Sequence, residues 1–75
     1  MNLRQHLLNR ISDLDRNILN LGIYVNDALK KAITALKTNN LGMAGEVIDE
    51  DTKINALEMS IQDDIILLIA KEQPV

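Results

Sequence analysis

The sequence has no cysteine, no tryptophan and no phenylalanine, and Tyr24 is its whole aromatic content. Without cysteine there can be no disulfide and no thiolate site for zinc or an iron–sulfur cluster. Without large rings, a core must be assembled from Leu, Ile, Val and Ala alone. There is one proline, Pro74, next to the C-terminus, so nothing breaks a long helix before it. The single histidine, His6, has no carboxylate or thiol spaced for general-base or nucleophilic work, and Ser12 and Ser60 have no activating setting. Gly42 and Gly45 are not followed by the Lys-Ser or Lys-Thr pair of a phosphate-binding loop. No enzymatic activity is expected. Positive charge is also short: the net charge is −3 and the Lys and Arg residues are scattered, whereas a nucleic-acid surface needs them clustered. The longest apolar run, residues 65–70, falls far short of the roughly 20 residues of a membrane span. Residues 1–10 lack the basic start and apolar centre of a secretory leader. A cytoplasmic protein with no transmembrane segment and no nucleic-acid partner is the expectation.

What is present is helical periodicity. Leu7, Ile11, Leu14, Ile18, Leu21, Val25, Ala28, Ala32 and Ala35 recur at alternating spacings of four and three, which is a heptad seam. Leu29, Ile33 and Leu36 widen the stripe beside it, which suits a bundle better than a lone two-stranded coil. Asp27 and Lys31 are spaced for an i, i+4 ion pair on the outer face. Thr38, Asn39 and Asn40 read as a turn, with Asn39 closing the first helix in a left-handed conformation and Asn40 capping the second. The fold class is therefore all-α: one domain over residues 1–75, with helix one at about 3–37, the turn at 38–40 and helix two at about 41–72, ended by the Gln73-Pro74 pair. A connection this short makes the helices antiparallel.

Helix two carries the informative stretch. Ile48, Ile54, Leu57 and Ile61 give it an apolar stripe, and Asp51 falls on that stripe where an aliphatic residue is expected. Asp51, Asn55 and Glu58 stand at i, i+4 and i+7 and share one face. The expectation is that Asp51 is partly buried and makes a polar contact across the seam. Hard cations take several converging oxygen ligands; Asp51 and Asn55 are the candidate pair, but one helix cannot supply a whole site, so no metal is assigned. The end of helix two, residues 65–70, is apolar around its whole circumference, and such a helix is buried all round. One antiparallel partner cannot cover it. A homo-oligomer, a dimer or a tetramer, is expected, with its contact centred on Ile65, Leu68 and Ile69 and aided by Leu29, Ile33 and Leu36.

Several of these residues together resemble the PhoU family: Leu21-Gly22 with Val25, Ala28 and Ala32; Leu41 to Ala44; Val47-Ile48-Asp49-Glu50-Asp51; Ile54-Asn55; Leu57-Glu58; and the ending Leu68-Ile69-Ala70-Lys71-Glu72-Gln73-Pro74-Val75. The resemblance implies an all-α protein built on three-helix bundles, usually two in tandem, of which this chain is a partial domain, the first two helices. It implies a regulator of phosphate uptake that acts by protein–protein contact with a phosphate transporter subunit or a sensor kinase. It also implies multinuclear metal clusters on a carboxylate-rich surface, but the acidic motif that holds them lies in the third helix, which has no counterpart here. The alternative is a structural oligomerisation hairpin without a regulatory role. Asp51 separates the two, because a purely structural seam gains nothing from a carboxylate.

Overall fold

Two helices form the whole of the described structure. The computed structural model describes residues 3–72, with α1 at Leu3–Thr38 and α2 at Leu41–Glu72. The Gln73-Pro74 stop expected after α2 lies outside the described residues.

The turn between them is built by two asparagines with separate tasks. Asn39 has φ 52°, the left-handed conformation that Asn tolerates better than other side-chain-bearing residues. The Asn39 N–H donates to the Leu36 carbonyl at 3.4 Å and the Asn40 N–H to the Ala35 carbonyl at 2.9 Å, the paired bonds of a Schellman closure. Asn40 then begins α2. Its carbonyl accepts the first helical bond, from Ala44 at 3.1 Å, and its side-chain Oδ1 accepts the Met43 N–H at 3.0 Å, satisfying a donor that has no partner within the helix. The expected roles of both residues are observed. The chain reverses within two residues, so the helices lie antiparallel with residue i of α1 level with about residue 79 − i of α2.

Packing follows one heptad row on each helix. On α1 the row Leu7, Leu14, Leu21, Ala28 and Ala35 faces α2; the first four are half-buried and Ala35 is buried. On α2 the facing row is Val47, Ile54, Ile61 and Leu68, with Ile61 buried and the others half-buried. Ala35 and Ile61 are each only 5% exposed and are the fully buried core among the described residues. The second row expected in the seam, Ile11, Ile18 and Val25, is exposed, as is Ile48, which is 68% exposed. These are corrections to the heptad reading, and the cause is angular. The apolar stripe on each helix is wider than about 100°, whereas a single neighbour covers less than that, so half of each stripe turns away from the contact.

The result is a rod of 56 × 17 × 15 Å with a radius of gyration of 17.3 Å. A compact chain of this length would have a radius of gyration of roughly 11 Å. The stability of the hairpin thus rests on very few side chains. Ile61→Ala is expected to destabilise it by about 2 to 5 kcal/mol, while Leu67→Ala, at a position 56% exposed, is expected to change it far less. Thermal unfolding followed by circular dichroism checks the contrast. Equal losses at the two positions would show that the observed seam is not the one that holds the helices.

Candidate functional site

The two long faces of the hairpin differ in chemistry. One is polar and carries an ion-pair cluster between the helices. Lys31 on α1 reaches across to α2, donating to Glu50 at 2.8 Å and pairing with Glu46 at 3.2 Å. The lysine is about one-third exposed. The Asp27–Lys31 pair expected along α1 does not form; Lys31 turns to α2 because two carboxylates one helical turn apart bracket its level there, while Asp27 offers one carboxylate with no gain in packing. The clamp is a cross-helix arrangement that a search for motifs misses. It is legible from the register all the same: 79 − 31 is 48, midway between Glu46 and Glu50. The Glu50 hydrogen bond, then that of Glu46, holds the Lys31 ammonium above the ordinary lysine value of 10.5. Beside the clamp, Tyr24, Asp27, Lys53, Ile54 and Leu57 line a shallow open hollow.

The other face is an apolar groove. Val25, Leu29 and Ala32 form its α1 wall, and Ile48, Asp51 and Ile54 its α2 wall. Towards the turn it continues between Leu36 and Leu41, which are more than 80% exposed. Asp51 therefore does not sit in the seam between the helices. It is exposed, on the groove wall, and the residue that occupies the half-buried position is Glu50. The expected partial burial of Asp51 is corrected by the same rotation that exposes Ile48, three residues earlier on the same side of α2.

The Asp51–Asn55 pair is formed: the Asn55 amide points to the Asp51 carboxylate at a long 3.4 Å. Glu58, a further turn along, is exposed. Two oxygen-bearing side chains on one turn, with the amide nitrogen of one directed at the other, do not make the multi-oxygen site a hard cation needs. Among the described residues no group of three or more His, Cys, Asp or Glu side chains is placed to hold a metal ion. The surface expected to mediate oligomerisation divides. Ile65 and Leu68 are half-buried against α1, while Ile69, Leu29, Ile33 and Leu36 are exposed, joined by Ile66 and Leu67. Among the described residues no helix is long and apolar enough to cross a membrane.

Comparison with known proteins gives one family. The family model of the PhoU domain matches residues 18–75, a stretch that contains the clamp and both walls of the groove. The chain is 31% identical to a phosphate-specific transport system accessory protein PhoU of Serratia marcescens, over 99% of this chain and 32% of that protein. It is 33% identical to the protein of the same description from Edwardsiella tarda, over 76% of this chain and 24% of the relative, and 28% identical to that of Escherichia coli strain K12, over 99% and 32%. The matched stretch thus spans about a quarter to a third of the length of these relatives. No solved structure matches it significantly.

Two outcomes test the assignment of the faces. Because the folded-state value of Lys31 is raised, the stabilisation from its pairs is fully present below 10.5 and is lost as pH rises through the higher folded value. The melting temperature should therefore fall above pH 10.5, and Lys31→Met should remove part of that alkaline fall. An unchanged pH profile in the variant would show that the clamp does not contribute. On the groove wall, Asp51→Leu should keep or raise the melting temperature, since an aliphatic residue suits an apolar groove better than a carboxylate does. A drop of several degrees would mean that Asp51 is a structural residue of the hairpin.

Proposed function

The chain belongs to the PhoU domain family, and from that premise we propose that it is a cytoplasmic, non-catalytic regulator of phosphate uptake. It acts by protein–protein contact with a phosphate transporter subunit or a sensor kinase, as a homo-oligomer, and it corresponds to the first two helices of a PhoU-type three-helix bundle. The observation that carries this reading is the family match over residues 18–75. The relatives' description as accessory proteins of a phosphate-specific transport system supplies the process. The chemistry of the surface is consistent with docking rather than turnover: a groove lined by aliphatic side chains, with one carboxylate on its wall, can bind a helical surface but offers nothing to activate a substrate.

A second reading, a structural oligomerisation hairpin, accounts for the exposed apolar face but gives Asp51 no purpose. The two part on binding. The regulatory reading expects the purified chain to bind the ATP-hydrolysing subunit of a phosphate transporter, or the cytoplasmic part of its sensor kinase, saturably in a calorimetric or optical titration, and expects Asp51→Leu to weaken that binding while leaving the hairpin folded. A folded chain that binds neither would overturn it in favour of the structural reading.

A further inference from the structure

The hollow beside the clamp has a chemistry that neither the clamp nor the family match explains. Tyr24 and Asp27 form its α1 wall, Glu50 and Lys53 its α2 wall, and Ile54 and Leu57 complete it with aliphatic surface. Tyr24 is the one aromatic residue of the chain, and it is 51% exposed. Asp27 stands three residues on, beside the ring on the same side of α1. It takes part in none of the ion pairs among the described residues, and neither does Lys53. Around the hollow three carboxylates, Asp27, Glu46 and Glu50, stand against two ammonium groups, Lys31 and Lys53, and Lys31 is already held by Glu46 and Glu50. One negative charge is left uncompensated. The wider field has the same sign, because α2 carries eight acidic residues and two lysines.

We propose that this hollow receives an arginine side chain from a partner protein. An anionic group would meet Asp27 and Glu50 as like charges. A purely apolar group would suit Ile54 and Leu57 but would strip water from two carboxylates and return no hydrogen bond. A metal ion would find no group of three or more ligands placed to hold it among the described residues. A guanidinium answers every part of the hollow. Its plane stacks on an exposed ring, its N–H fork matches a carboxylate, and its methylene stem lies along aliphatic surface. An ammonium is a strongly hydrated point charge and uses ring and carboxylate less well. Lys53 is the chain's own competitor, a cation on the rim whose removal favours the guest. The aliphatic groove lies on the other flank, so the site does not depend on what covers it.

This inference deepens the regulatory reading above and rests on it for the existence of a partner. Its test contains no transporter or kinase, so the two can fail separately. With one aromatic residue in the chain, intrinsic fluorescence reports on the hollow alone. Titration of the purified chain with N-acetylarginine amide should change the Tyr24 emission saturably. The citrulline analogue has the same shape without the charge and should give no saturable change; the lysine analogue should bind several-fold more weakly. Asp27→Asn should weaken the arginine compound by about tenfold, and Lys53→Gln should tighten its binding. Asp63→Asn removes the same charge from an exposed position of α2 outside the hollow and should change the affinity by less than about twofold. Circular dichroism checks that each variant keeps its helices. Equal weakening by Asp27→Asn and Asp63→Asn would reveal diffuse charge attraction and overturn the site. Equal binding of the citrulline compound, or no saturable response to the arginine compound, would overturn it as well.

Discussion

One helix can bury only part of another, and that limit governs this molecule. Each helix carries an apolar stripe about two heptad rows wide, and the hairpin contact consumes one row. Among the described residues, Ala35 and Ile61 are the only ones it buries fully. The other row becomes a groove that runs along one side of the rod. The two flanks follow from this division: the polar clamp lies on one flank of the contact, and the groove, with Asp51 on its wall, on the other.

The turn gives the division its register. Two asparagines reverse the chain in two residues, with backbone bonds to Ala35 and Leu36 and a side-chain cap on Met43. A longer or looser loop would let the helices slide. Because the reversal is tight, Lys31 arrives level with the gap between Glu46 and Glu50, and Val25 and Leu29 arrive level with Ile54 and Asp51. The clamp in turn resists rotation of the helices about their axes, since turning either one would pull the ammonium away from two carboxylates at once. An exposed ion pair is worth little to stability, but a bridging one can fix which flank of the seam is polar.

The elements were legible in the sequence because they depend on local chemistry. Heptads, the absence of proline before residue 74 and the two asparagines at 39 and 40 each act within a few residues, and the structure shows the helices and the turn where those signals lie. The rotation of each helix about its axis was not legible. Both heptad rows on α1 are apolar, so nothing local says which of Leu14 and Ile18 faces α2; the answer comes from the partner. On α2 the same ambiguity puts Asp51 in the seam, whereas it is Glu50 that is half-buried, on the clamp flank. An error of one residue on a helix is about 100°, enough to exchange an inter-helix position for a groove position. The clamp was within reach of sequence reasoning, but only after the turn had fixed which residues are level.

The position of Asp51 bears on why the polar row exists. A carboxylate inside the two-helix seam would have been a cost to the hairpin, and selection for stability alone would remove it. On the groove wall it costs the hairpin nothing, because it is solvated and lies within one turn of the Asn55 amide. Its cost is deferred to whatever covers the groove. An indifferent apolar surface would strip its water and return no hydrogen bond, whereas a surface that presents an amide at that level would be accepted. A carboxylate on an otherwise aliphatic groove wall thus restricts the surfaces that could cover it: the aliphatic residues offer affinity without direction, and Asp51 disfavours any surface that returns no hydrogen bond at its level.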